Sequence, residues 1–264
     1  MLPGVRVELR QRRVALFVPC YVDQLYPDVA FATLELLESQ GLRVDVPSAQ
    51  TCCGQPLTNK GAVSAARALG ASFEATFAAY DYIVCPSGSC TAALHRHSEW
   101  LGAPPAGAAT RVFELCHFLV DVLGSERLGR SFPHRVVLHQ SCHALRELGH
   151  GAPSEFGAGR SVRQNPARQL LQGVPDLTLV EPERVDECCG FGGSFCVVEP
   201  EVSSRMGDDR IGDFERAGAE IVTSADMSCL MHLSGLMRRK RRPLSVMHIS
   251  QVLVGRSVSA AERA

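Results

Sequence analysis

The sequence predicts an α/β protein built from two pseudo-symmetric tandem cysteine-rich repeats, each with a mainly parallel sheet flanked by helices. Three observations lead there. Short apolar runs rich in β-branched residues alternate with stretches of helical spacing, as expected of parallel strands joined by right-handed crossovers. The cysteines recur in one order, a lone Cys, a Cys-Cys-Gly and a lone Cys: Cys20, Cys52-Cys53-Gly54 and Cys90, then Cys142, Cys188-Cys189-Gly190 and Cys229. The surrounding phrases recur as well. RVALFVPC matches RVVLHQSC, TCCGQP matches ECCGFG, YIVCPSGSC matches IVTSADMSC, and FELCHFLVDVLG resembles VMHISQVLVG. The repeats are read as residues 1–129 and 130–264, with the boundary near Gly129 to His134.

The elements follow in order. Val14–Val18 is a short apolar run suited to a buried strand. Val29–Gln40 carries Phe31, Leu34 and Leu37 at helical spacing and stops at Gly41. Arg43–Val46 is a second strand, the Cys-Cys-Gly segment a loop, and Ala62–Ala79 an Ala-rich helix. Tyr82–Cys85 is a third strand, and a helix begins near Cys90. The second half repeats this through strand Val136–His139, helix Ala167–Gln172, strand Leu177–Val180, helix Val202–Ala217 and strand Ile221–Thr223. In parallel α/β sheets ligands sit beyond the carboxyl ends of the strands. Each lone Cys and each Cys-Cys pair follows a predicted strand, so distant thiols are expected to meet at one sheet edge.

Composition narrows the chemistry. The chain has 264 residues, 45% hydrophobic and 21% charged, with a formal net charge of -1. That describes a globular protein and argues against a nucleic-acid binder, which would be clearly basic. No apolar run reaches membrane-spanning length, and Val14–Pro19 is too short for a signal-peptide core. The expected location is the cytoplasm, where eleven cysteines point to metal ligation or redox chemistry rather than to disulfides.

Four thiolates hold either tetrahedral zinc or an iron–sulfur cluster. The adjacent pairs favour the cluster, because successive side chains on extended backbone diverge and converge poorly on one small ion. Gly54, Gly190, Gly192 and Gly193 allow close backbone approach, and exposed N–H groups there suit cluster sulfurs. A phosphate-binding glycine loop is the weaker reading of CCGFGG, since its glycine spacing differs from the dinucleotide fingerprint. Cys116 and Cys196 lack repeat partners and read as buried small hydrophobes.

The phrases CCGQP, PSGSC, CCGFGG, SCL and VMHI, set in order among these cysteines, resemble the CCG (cysteine-rich) domain of iron–sulfur oxidoreductases over essentially the whole chain. That family includes heterodisulfide reductase and the iron–sulfur subunits of glycolate oxidase and anaerobic glycerol-3-phosphate dehydrogenase. The similarity is greatest to its lactate-utilization branch. No Cys-x-x-Cys-x-x-Cys run of ferredoxin type is present, so the chain reads as the CCG module alone. The resemblance implies an oxidoreductase subunit that transfers electrons in an L-lactate dehydrogenase complex. Its partners would be a ferredoxin-type iron–sulfur protein and a flavoprotein, and the reaction the oxidation of L-lactate to pyruvate.

It also implies that Cys20, Cys52, Cys53 and Cys90 ligate one [4Fe–4S] cluster and Cys142, Cys188, Cys189 and Cys229 another. In heterodisulfide reductase each motif ends in Cys-x-x-Cys and gives five thiolates to a non-cubane cluster. Here Ala93 and His232 stand three residues after Cys90 and Cys229. The fifth ligand is therefore missing, or replaced by Cys85 or His232. The alternatives are a thiol–disulfide reductase of the heterodisulfide type and a non-catalytic scaffold holding zinc.

Other features are secondary. His139 and His143 flank Cys142, and His117 and His248 recur near the last junction of each half. They read as hydrogen-bonded structural residues that near a redox centre also offer a proton relay. The run Arg238–Arg242 suits a helix C-terminus or docking onto an acidic partner. Gly102–Ala109 and Gly149–Gly159 read as loops and Ser257–Ala264 as a frayed tail.

Overall fold

Two four-stranded sheets, both parallel throughout, form the framework of a computed structural model that describes residues 11–97, 99, 107–125, 128–156 and 164–258. The chain divides into two compact units, Met1–Ser125 and Glu126–Ala264. The first carries β1 (Val14–Leu16), β2 (Val44–Asp45), β3 (Tyr82–Cys85) and β4 (Val112–Glu114) in the order β2-β1-β3-β4. The second carries β5 (Arg135–Leu138), β6 (Thr178–Val180), β7 (Ile221–Ser224) and β8 (Ser245–His248) in the order β6-β5-β7-β8. Of the central strands, β1 and β7 are buried along their whole length and β3 and β5 beyond their first residue, as a sheet covered on both faces requires. Register matches as well: Val14 pairs with Tyr82 and Leu16 with Val84, as Val136 pairs with Ile221 and Leu138 with Thr223.

The sequence reading recovers three strands per half. It lacks β4 and β8, which lie in the repeated FELCHFL and VMHISQV phrases and run straight into helix with no intervening turn. Glu114 and His248 end these strands and cap the next helix with their side chains.

The helices of the first unit are α1 (Cys20–Leu25), α2 (Pro27–Ser39), α3 (Gln55–Asn59), α4 (Val63–Phe77), α5 (Gly88–His95) and α6 (Leu115–His117), which continues as a π turn to Val122. Those of the second are α7 (Cys142–Arg146), α8 (Pro166–Gln172), α9 (Phe195–Val198), α10 (Pro200–Arg216), α11 (Met227–Lys240) and α12 (Ile249–Leu253). Pro27 opens α2 at a position where its missing N–H is harmless, and Gly41 closes it at φ 79°. α4 buries Ala66, Gly70, Phe73 and Phe77 along one stripe, and α10 buries Ser203, Gly207, Arg210 and Phe214 along its counterpart. Of the three segments read as loops or tail, residues 102–106, 157–159 and 259–264 lie outside the described residues. Ala108–Arg111 and Ser154–Phe156 form short 3-10 turns.

Candidate metal centre

In each sheet the chain leaves the first strand toward one edge and the third strand toward the other. The carboxyl ends of β1 and β3, and of β5 and β7, are therefore the places where a crevice opens. The lone cysteines sit there. Cys20 opens α1 just past β1, and Cys90 lies in the first turn of α5 just past β3. Cys142 opens α7 just past β5, and Cys229 lies in the first turn of α11 just past β7. The Cys-Cys-Gly segments arrive from the loops after β2 and β6. None of the eleven cysteines is in a disulfide.

In the first unit Cys20 is in hydrogen-bonding contact with Cys52, Cys52 with Cys53, Cys53 with Cys90, and Cys90 with Cys85. The Cys52 thiol is pulled far down because Cys20 and then Cys53 donate to it, with the Gly54 N–H adding from 3.4 Å. Cys20 and Cys53 are pushed up by the same contact with Cys52 and by burial. Gly54 adopts φ +85°, which only glycine takes without strain, and this turns its N–H back onto the Cys52 sulfur. Behind the sulfurs Phe17, Phe73 and Phe77 share one buried cluster with Cys53, Cys85 and Cys90. Their ring centroids lie 5.7 Å (Phe17–Phe73), 5.9 Å (Phe17–Phe77) and 4.7 Å (Phe73–Phe77) apart. Buried His97 donates from Nε2 to the Cys53 carbonyl at 2.8 Å and so pins the loop.

The second unit repeats the sulfur arrangement. Cys142 meets Cys188, Cys188 meets Cys189, and Cys189 meets Cys229. Cys188 is pulled far down by donation from Cys142 and Cys189, with the Gly190 N–H at 3.4 Å. Cys142 and Cys189 are pushed up, by contact with Cys188 first and burial after. Gly190 again has φ +85°, and here a Cβ would also meet the Ser203 carbonyl oxygen at 2.6 Å. Ser203 Oγ donates to the Gly190 carbonyl at 2.8 Å. A ring nitrogen of His139 and the sulfurs of Cys189 and Cys229 all lie within 4.8 Å of one another.

Behind these sulfurs the lining is polar. Arg210 is fully buried, its Nε 3.4 Å from His139 Nδ1 and its guanidinium carbon 4.4 Å from the Phe214 ring centre. It pairs with buried Asp213 at 3.2 Å and donates to the carbonyls of Arg184 and Val185. Asp213 in turn accepts the N–H groups of Glu183 and Arg184 at 3.1 and 3.0 Å. The pair thereby straps the loop that leads into Cys188.

The structure thus brings all eight repeated cysteines into two groups, and adds Cys85 to the first. His232 stands on α11, its Nε2 3.5 Å from Ser203 Oγ and its ring 5.9 Å from that of Phe191, with burial holding its pKa low. Cys116 is buried as expected, whereas Cys196 is only half-buried and donates to the Gly193 carbonyl at 3.0 Å. The difference arises because Cys196 lies in α9, a helix with no buried residue. His143 lies 3.6 Å from the Cys142 sulfur and pairs with Glu147, and His248 caps α12. In the basic run Lys240 meets Asp208 and Arg242 meets Glu215, so part of the charge is taken up by α10.

Sequence reading passed over Arg210, Asp213 and His97. A signal for the first existed: Phe73 and Phe77 stand four apart, as do Arg210 and Phe214, in helices that follow equivalent Cys-Cys-Gly segments. No helix among the described residues is long and apolar enough to cross a membrane.

The chain is similar to known proteins. The cysteine-rich domain family CCG matches residues 14–95 and 136–234. Lactate utilization protein A of Geobacillus kaustophilus is 42% identical over 252 residues, covering 93% of this chain and 100% of the relative. The protein of that name from Bacillus subtilis is 38% identical over 250 residues, covering 92% and 100%. Among solved structures, a putative Asp/Glu racemase from Yersinia pestis aligns over 91% of this chain and 95% of its own at 10% identity and a TM-score of 0.37.

Proposed function

The chain belongs to the cysteine-rich CCG domain family, and from that premise we propose that it serves lactate utilization as an iron–sulfur electron-transfer subunit. In this reading Cys20, Cys52, Cys53 and Cys90 hold one cluster, and Cys142, Cys188, Cys189 and Cys229 hold the other. The observation that carries it is the convergence of four thiols per unit on the switch point of a parallel sheet. The relatives' shared name supplies the metabolic setting.

A bound cluster supplies reversible electron storage. The chain's own residues do the rest. In each quartet the neighbouring thiols draw the pKa of one, Cys52 or Cys188, downward, toward the anion that metal ligation requires. Gly54 and Gly190 aim N–H groups at that sulfur; Cys53, Cys90, Cys189 and Cys229 are buried, and Cys20, Cys52, Cys142 and Cys188 are half-buried. A single zinc with bonds of about 2.3 Å would hold four sulfurs about 3.8 Å apart. The ligand atoms that close to within 4.8 Å are instead one nitrogen and two sulfurs, of His139, Cys189 and Cys229. The adjacent Cys-Cys pair in each quartet, whose side chains converge poorly on one small ion, favours a polynuclear group.

Oxidation of L-lactate to pyruvate releases two electrons and two protons, and two one-electron centres in one chain match that count. A flavoprotein and a ferredoxin-type iron–sulfur protein would be the partners that exchange electrons with such centres. Protein purified without air is expected to contain iron and acid-labile sulfide, with two paramagnetic centres on reduction. Cys53→Ser and Cys189→Ser should each remove one. Zinc without sulfide would overturn the cluster assignment. Failure of L-lactate to reduce the centres in the co-purified complex would overturn the lactate assignment.

A further inference from the structure

His139 ends β5's extension: its N–H donates to the Thr223 carbonyl at 2.8 Å, as the Phe17 N–H donates to the Val84 carbonyl at 2.9 Å. The two side chains therefore occupy equivalent places behind the sulfurs. Their neighbours correspond as well, with Phe73 and Phe77 in one unit replaced by Arg210 and Phe214 in the other. Two of the three apolar positions are polar in the second unit.

We propose that Arg210 locks His139 as a hydrogen-bond donor to the second centre, with the proton on Nε2 aimed at the sulfurs held by Cys189 and Cys229. A guanidinium only donates, so the His139 Nδ1 that faces the Arg210 Nε at 3.4 Å must present a lone pair. A neutral imidazole has one N–H, and it is then on Nε2. A doubly protonated ring would set an N–H against an N–H beside a buried cation. Nε2 is buried and has no partner among the described residues. Such an orphaned buried donor is destabilising unless something accepts from it. A ring nitrogen of His139 lies within 4.8 Å of two sulfurs, and with Nδ1 committed to Arg210 the nitrogen left for them is Nε2.

The same tautomer keeps His139 from being a metal ligand. Ligation at Nε2 needs the lone pair that the proton occupies, and the free lone pair at Nδ1 points to Arg210. His139 is thus a positioning residue. A donor to cluster sulfur favours the more negative, reduced state. The second centre should then have the higher potential, because the first has only the Phe17 ring at that position.

This inference rests on the iron–sulfur reading, and its tests separate the two. In metal-free, reduced protein, nitrogen-15 spectra of histidine should show His139 as the Nε2–H tautomer; the Nδ1–H form would overturn the proposal whether or not iron ever binds. In the holoprotein, His139→Phe should lower the midpoint potential of the second centre alone at unchanged iron content. His139→Gln, which keeps a donor, should recover part of that shift. An unmoved potential, or iron lost from the second centre, overturns it, the latter by making His139 a ligand. Should His139→Phe fail to fold, pulsed paramagnetic resonance on the unaltered protein decides between an exchangeable deuteron near the cluster, as expected, and a strongly coupled nitrogen, as ligation would give.

Discussion

The two units place their sulfurs alike and support them differently. Around the first quartet the walls are Phe17, Phe73 and Phe77, and the loop is pinned from outside by His97. Around the second they are His139, Arg210 and Phe214, with Asp213 and Asp226 buried nearby. The duplicated features are those that gather thiols: strand order, register, the Gly54 and Gly190 turns and the lone cysteines at strand ends. The features that diverged lie one layer back and set charge and dielectric. A repeat can thus hold ligand geometry while its halves come to present different electrostatics to what they bind.

The sharpest way to break this comparison is Arg210→Met. Removing one partner of a buried ion pair costs about 3–5 kcal/mol, and the low end is expected because exposed Arg216 still meets Asp213 at 3.2 Å. Loss is expected in urea unfolding of the second unit. Phe73→Met, at the equivalent place in the first, keeps an apolar side chain of slightly smaller volume, loses its ring contacts and should cost about 1–2 kcal/mol. Equal losses would mean that the two rear layers do the same job.

The glycine turns come next. Gly54→Ala puts a side chain at φ +85° with its nearest neighbour, Leu69 Cδ1, 3.8 Å away, and backbone strain alone costs about 1–2 kcal/mol. Gly190→Ala adds overlap with the Ser203 carbonyl at 2.6 Å and Met206 Cβ at 2.8 Å, worth a further ~1–3 kcal/mol. Thermal melts of the two variants should therefore rank Gly190→Ala as the more damaging.

The smallest effect tests where the halves agree. At the amino ends of the central strands, Asp81 accepts the Arg13 N–H at 2.8 Å and Glu220 accepts the Arg135 N–H at 3.0 Å. Glu220 is held below the ordinary carboxylate range, first by that N–H and then by His134. A depressed folded pKa contributes stability above the unfolded value and loses it as pH falls through the folded one. Its contribution should therefore vanish only in acid below about pH 4.5. Both groups are exposed, so Asp81→Asn and Glu220→Gln should each cost less than about 1 kcal/mol at neutral pH. A clear inequality between them in chemical denaturation would show that divergence reaches the far end of the sheets.

The repeat, the parallel strand–helix alternation and the identity of the gathered thiols were legible because each leaves a local mark: β-branched runs, helical spacing, Cys-Cys-Gly. β4 and β8 were not, since Val112–Glu114 and Ser245–His248 are short and run straight into helix without a turn residue. Cys85 could be flagged but not weighed, because its contact with Cys90 depends on the α5 turn bringing the chain back. His139 was visible beside Cys142, yet its partner Arg210 is 71 residues away. An arginine at a core position of a helix reads as an exposed charge until the buried carboxylate opposite it is seen.

By itself the sequence determined what was duplicated: side-chain chemistry and local backbone preference are encoded residue by residue, so twin cysteine patterns and twin strand runs declare themselves. Only the tertiary structure decided what stands behind each set of sulfurs. Burial and hydrogen-bond partnership arise from elements far apart in the chain, and those are what make Phe17 an inert wall and His139 a buried, oriented dipole.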